Sequence, residues 1–358
     1  MSQTAAGERS PLVFKHASFE RDKHSSRTSP SPCRVLRTAL RIPRLVWDFT
    51  ESNFPTFVVP NTAFGVLGAL TGAPLTTTTT SADATVSPLR VLLLNMPLAV
   101  AFNWYSVLVF DLANQRGPES VEEDLANKPW RPIPSGKVTA EQTRRAMLVV
   151  VPLVLGFNYL LGVWREGVFI LVLTWLYNDL RGGDTLARDA IIAAAYYLFN
   201  TASLKIAVAD TGARVARDGH VWAGVISAVI LTTMQVQDLK DQAGDRGRGR
   251  STIPLYFGDG FSRVSLAVLV PFWSCVCLYL WRISIWSSAT PSGSLFSPLG
   301  PVLMTLAVLG SGAMVAAGVL RKRTPESDGR AWRLWCLWTV CLYVLPLAGN
   351  GFASLGHV

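Results

Sequence analysis

Charge is what this chain of 358 residues has least of. Only 16% of it is Asp, Glu, Lys or Arg, against roughly 25% in an ordinary soluble domain, while half of it is hydrophobic. That balance excludes a water-soluble globular fold and leaves a polytopic membrane protein. Histidine is scarce too: His16, His24, His220 and His357 are scattered. The five cysteines show no Zn-ligand spacing with them, which argues against a metallohydrolase or a thiol enzyme. Residues 1–45 hold no apolar run of the kind a cleavable signal peptide needs. With SSRTSPSP at Ser25–Pro32, they read as a disordered basic tail.

Beyond residue 46 the chain is rich in apolar runs long enough to cross about 30 Å of hydrocarbon as helices. Nine are expected, at 54–72, 91–112, 146–163, 167–180, 190–208, 221–238, 264–282, 299–319 and 332–349. The fold class is therefore all-α, with residues 46–358 as one transmembrane domain. Pro55 and Pro60 interrupt the first run, and Asn178 and Asp179 shorten the fourth. Cytoplasmic loops carry the excess of Lys and Arg. With a cytoplasmic amino terminus, nine spans leave only Arg90, Arg165, Lys205, Arg214, Arg217 and Arg282 of the 33 basic residues on the other face. Topology thus explains the net charge of +9 without nucleic acid. The low-complexity run Thr76–Ser81 falls in the first loop and is expected to face solvent.

Two acid-rich stretches lie on the cytoplasmic side, at the ends of the second and sixth spans. In the second stretch Asp238, Asp241 and Asp245 stand at i, i+3 and i+7, on one helix face. Three such carboxylates repel one another unless a cation sits among them. Mg²⁺ suits, because it takes oxygen ligands and bridges carboxylates to phosphates. Lys240, Arg246, Arg248 and Arg250 follow closely; the same charges also fit a solvated helix end. In the first stretch Asp111 and Asn114 share a face, Asp124 follows in the loop, and Asn127, Lys128 and Arg131 lie on a proline-stiffened segment. Arg grips phosphate oxygens bidentately. An ordinary basic loop accounts for these cations but not for the acids before them.

DLANKPWRPIPSGKVT (Asp124–Thr139) resembles the first signature of the UbiA superfamily of membrane prenyltransferases, and DLKDQAGDRGRGRSTIP (Asp238–Pro254) resembles its second. Leu176-Tyr177-Asn178-Asp179 is also similar to that family. The resemblance implies nine helices around a central cavity, with Mg²⁺ and a prenyl diphosphate held at the cytoplasmic end. It implies metal ligation by Asp111, Asn114, Asp124, Asp238, Asp241 and Asp245, with Asp111, Asp238 and Asp241 catalytic. It places substrate contacts at Asn127, Lys128, Arg131, Tyr177, Lys240, Arg246 and Arg250. The first motif departs from the family pattern: its leading Asn falls on Phe110, its middle acid on Asn114, and nine residues separate Asn114 from Asp124. Glu119, Glu122 or Glu123 could replace the lost acid, and Asn103 is a further polar candidate for the cavity.

This altered motif is similar to that of a fungal branch that includes membrane terpene cyclases. The expected reaction is Mg²⁺-dependent ionisation of farnesyl diphosphate followed by cyclisation to a terpene. The alternatives are prenyl transfer to an aromatic or lipid acceptor, and a non-catalytic transporter or scaffold. Trp104, Tyr105, Trp175, Tyr177, Tyr196, Tyr197 and Phe199 are candidates to steady a cation, although aromatic residues at span ends also anchor helices at the interface. The expected partners are the prenyl diphosphate and the bilayer, and the expected compartment is the endoplasmic reticulum.

Overall fold

The prolines of the first run do not break it. In the computed structural model, which describes residues 32–78, 87–283 and 300–349, Phe54–Thr71 is one helix, α2. Its first turn, Phe54–Val58, is wound wide just ahead of Pro60. The wider turn accommodates a ring that would otherwise strike the carbonyl four residues back. The same device, Val91–Asn95 before Pro97, lies near the start of α3, Pro88–Gln115.

An amphipathic helix, α1 (Pro32–Thr50), precedes these and takes in the last part of the expected tail; residues 1–31 lie outside the described residues. After α3 come a short helix α4 (Pro118–Asn127), α5 (Ala140–Leu160), α6 (Trp164–Asn178) and α7 (Arg188–Ala207). They are followed by α8 (Arg217–Val236), α9 (Asp238–Arg248), α10 (Asp259–Leu280), α11 (Gly300–Arg321) and α12 (Pro325–Ala348). Helices α2, α3, α5, α6, α7, α8, α10, α11 and α12 pack in that order, and α12 returns to α2, so they close a ring.

Among the described residues eight of these helices are long and apolar enough to span a membrane. The protein is therefore a multi-pass integral membrane protein. The expected span missing from these is the fourth, α6, whose 15 residues rise about 22 Å, short of the hydrocarbon thickness. Gly162 at φ +71° ends the turn before it, and Leu180-Arg181 closes it behind Asn178. Thr76–Thr78 (β1) pairs antiparallel with Ala213–Val215 (β2); of the run expected to face solvent Thr76 is buried, Thr77 is exposed, and residues 79–81 lie outside the described residues.

Lipid offers no hydrophobic drive between helices, so close backbone approach and buried polar contacts hold the ring. At Gly65 a Cβ would lie 2.5 Å from the Ser203 backbone, which lets α2 and α7 touch. Asn103, fully buried, donates to Thr62 Oγ1 and Ser203 Oγ at 2.9 Å each. It ties α2, α3 and α7 together instead of facing a cavity. At the acid-rich end Arg263 makes two 2.8 Å bonds to Asp328 and one to the Val319 carbonyl, joining α10, α11 and α12. Both side chains of the ion pair are buried. Asp328→Ala is expected to lower stability by about 1–3 kcal/mol, because it removes two charge-assisted bonds from a buried guanidinium that keeps Asp259 at 2.9 Å; an unchanged unfolding temperature in detergent would contradict this.

Candidate active site

Helices α3 and α8 end on the same side of the ring, and each feeds a short polar helix. Those two helices, α4 and α9, are joined by Arg248, which donates to Ser120 Oγ at 2.8 Å and Glu123 Oε2 at 3.1 Å. Arg250 reaches Glu123 Oε1 at 3.3 Å. The two acid-rich stretches therefore converge. Asp124 belongs to α4, a helix where a loop was expected. Pro118 stands at its first position, where its fixed φ suits a helix start, and the extended Gly117 before it separates α4 from α3.

Three carboxylates share one pattern. Asp111 Oδ1 accepts from Asn53 Nδ2 at 2.6 Å, Asp238 Oδ1 meets Arg188 at 2.6 Å, and Asp245 Oδ1 accepts from Arg250 at 2.8 Å. In each, the second oxygen is buried without a partner. Burial pushes Asp238 up to about 7, against the pull of Arg188 and helped by the neighbouring Asp189, Asp245 and Asp241. Burial likewise raises Asp245, opposed by Arg250. A desolvated anionic oxygen with no donor is costly, and a hard cation answers that deficit. Among the described residues no three His, Cys, Asp or Glu side chains form a ready-made metal cluster. Mg²⁺ does not demand one, since it typically binds through one or two carboxylates and completes its shell with water and phosphate. The residues present fit the ion.

The other predicted ligands are engaged elsewhere. Asp124 is held by both its oxygens on Arg131, at 2.9 and 2.8 Å, with both side chains buried. Asn114 donates to Asn178 at 2.9 Å, and Asp241 pairs with Lys240. Of the glutamates considered as replacements, Glu119 pairs with Arg181 and Glu123 with Arg248 and Arg250, while Glu122 is exposed. Lys128 is half-buried, and burial, with Arg131 and Lys240 nearby, pulls its amine below the usual range. Arg246 is exposed on α9. The side chain of Asn127 lies outside the described residues.

Beside these acids opens a partly enclosed cavity. Asn53, Tyr177, Arg188 and Gln237 line its polar end, and Phe57, Ile192, Tyr196 and Phe199 line it deeper in. Arg188 to Phe199 is eleven residues of α7, about 16 Å of helix rise. Of the candidate aromatics, Tyr177, Tyr196 and Phe199 reach the cavity. Trp104 instead donates to Thr50, Tyr105 to Asn158, Tyr197 meets His220, and Trp175 is exposed. Sequence reasoning missed Phe57, Phe110 and Trp332 as lining residues, and above all Arg188, which donates to the Tyr177 hydroxyl at 3.2 Å while holding Asp238. Its signal was an arginine at the edge of an apolar run, read only as a topology charge.

The comparisons agree with this architecture. The UbiA prenyltransferase family matches residues 74–338. The chain is 29% identical over 321 residues to the diterpene cyclase eriG of Hericium erinaceus, covering 86% of this chain and 88% of that one. It is 31% identical over 269 residues to the polyprenyl transferase eriF of the same fungus, covering 72% and 83%. A solved structure described as giving insights into digeranylgeranylglyceryl phosphate synthase in membranes superposes with a TM-score of 0.53 at 15% identity, over 85% of this chain and 97% of that one.

Proposed function

Because the chain belongs to the UbiA prenyltransferase family, we propose that it ionises a prenyl diphosphate with Mg²⁺, farnesyl diphosphate being the expected substrate, and closes the freed chain on itself to a cyclic terpene. The observation that carries this reading is the set of three buried carboxylates, each with one oxygen left without a donor, next to an apolar, aromatic-lined cavity. Asp111, Asp238 and Asp245 would each offer an oxygen to Mg²⁺, one or two of them to an ion, with diphosphate and water completing its shell. Bound there, Mg²⁺ supplies positive charge that stabilises the departing diphosphate.

The protein's own cations do the rest. Arg188 stands at the cavity's polar end, where a diphosphate oxygen can replace the carboxylate it now holds. Arg131, with Lys128 beside it, can neutralise leaving-group charge in the same way. Phe57, Tyr196 and Phe199 present ring faces and edges to the chain, each face contributing about 0.5–2 kcal/mol to a passing cation. Their packing also excludes water, which an allylic cation needs if its own double bonds are to attack it.

The acceptor alternative rests on the likeness to a polyprenyl transferase. What favours cyclisation is the altered first motif, which resembles that of the terpene-cyclase branch; the apolar depth of the cavity suits either reaction. The same reading puts the acid-rich end in the cytosol, on the side of the basic loops, in the endoplasmic reticulum membrane, with residues 1–45 as a basic cytoplasmic tail. Membranes containing the protein, given Mg²⁺ and farnesyl or geranylgeranyl diphosphate without acceptor, are expected to yield a cyclic hydrocarbon. Product formed only after an aromatic or lipid alcohol is added would establish the transferase instead, and no consumption at all would leave a non-catalytic protein.

A further inference from the structure

Behind the deep wall of the cavity lies a polar cluster that the proposed chemistry does not use. Phe57 of α2 packs edge-on against Tyr196 and Phe199 of α7, with ring centroids 4.8 and 4.7 Å apart. One turn further along the same face of α2 stands Asn61, and one turn beyond that Phe64, whose ring lies 5.5 Å from Tyr343 of α12. On α7, Asn200 follows Phe199 and sits one turn from Tyr196. Asn61, Asn200 and Tyr343 are buried to 0, 0 and 1% exposure.

All three carry polar atoms without a hydrogen-bond partner: Asn61 Oδ1, both ends of the Asn200 amide, and the Tyr343 hydroxyl. The Tyr343 hydroxyl and the Asn200 side chain are neighbours, yet no well-formed bond joins them. Tyr196 also lies within electrostatic reach of Tyr343. An orphaned amide and hydroxyl in the core each cost about 1–3 kcal/mol, and four such atoms on three helices offer the 2–4 partners a buried water needs.

We propose that Asn61, Asn200 and Tyr343 hold internal water directly behind the Phe57–Tyr196–Phe199 wall, and that this wall keeps the water off the carbocation. The inference rests on the ionisation step of the proposed function but not on cyclisation. If the wall is thinned, the water oxygen forms a bond to the cationic carbon and loses a proton to the diphosphate released in the same turnover. Substrate plus water then gives a terpene or prenyl alcohol plus acid diphosphate.

Two measurements test this. Tyr343→Phe, assayed by thermal unfolding in detergent, is expected to lower the unfolding temperature, because the hydroxyl is a ligand of bound water. A rise would show that the hydroxyl was an unsatisfied burden and would overturn the proposal. Turnover of Phe57→Ala in H₂¹⁸O is expected to raise the labelled-alcohol share at least tenfold over the wild type, and adding Asn200→Leu to Phe57→Ala is expected to return it to baseline. Diphosphate release without labelled alcohol, or equal label in both variants, which would mean bulk water, overturns it. If the wild type releases no diphosphate, the functional reading fails while the Tyr343→Phe result still decides whether the water site exists.

Discussion

Asp238→Asn is expected to lower kcat by roughly 10³-fold or more, while the protein still inserts and purifies as the wild type does. The substitution keeps the shape and a hydrogen-bond acceptor for Arg188, whose guanidinium sits 2.6 Å away. It removes the negative charge that a divalent ion requires. Charge stabilisation by a bound metal contributes several kcal/mol, and about 4 kcal/mol corresponds to three powers of ten. Asp238→Ala is the harsher variant, since it also takes from the buried Arg188 its shortest ion pair and leaves it the 3.4 Å contact to Asp189. Turnover within a few-fold of the wild type in Asp238→Asn would remove this residue from the metal site.

The second large effect separates folding from chemistry at one ion pair. Arg131→Ala leaves Asp124, only 4% exposed, without its two-oxygen partner. It is expected to lose about 3–5 kcal/mol of stability and roughly 10²-fold in kcat/KM. Adding Asp124→Ala removes the stranded charge, so much of the stability is expected to return. Activity is not, because the guanidinium that would meet the diphosphate is still missing. A double variant as active as the wild type would show that the Asp124–Arg131 pair only braces the turn after α4. The sequence reading instead had Asp124 as a metal ligand and Arg131, with Asn127 and Lys128, as the diphosphate clamp.

That difference shows where sequence stops being enough. The helical ring was legible because it depends on a long-range average, the apolar runs, although among the described residues eight of the nine expected spans are long and apolar enough to cross a membrane. Both acid-rich stretches were found because clustered carboxylates at a membrane edge are rare, and their convergence followed from both lying on one side. Which acid pairs with which base was not legible. Asp124 and Arg131 are seven residues apart, and their meeting depends on α4 ending at Asn127 and on the tight turn through Lys128–Pro132. Asn103 looked like a cavity residue from its place one face above Asp111, yet α2 and α7 approach closely enough at Gly65 and Ser203 to claim it.

The cavity's deep wall was hidden for a similar reason. Phe57 sits in a turn that the sequence marks as broken by Pro55 and Pro60, and only the widened winding of α2 carries its ring onto Tyr196 and Phe199. Arg188 was visible as a charge but not as a side chain directed back into the ring. The orphaned amides behind the wall leave no trace in sequence, because a buried Asn usually finds a hydrogen-bond partner and nothing in the residue order marks the exceptions.

The most direct test of the account is Mn²⁺ binding, followed by electron paramagnetic resonance, to the detergent-solubilised protein with and without a non-ionisable prenyl thiodiphosphate. Tight Mn²⁺ binding is expected that needs the diphosphate analogue and is lost in both Asp111→Asn and Asp238→Asn. Binding that is indifferent to the analogue, or that survives in both variants, would contradict it.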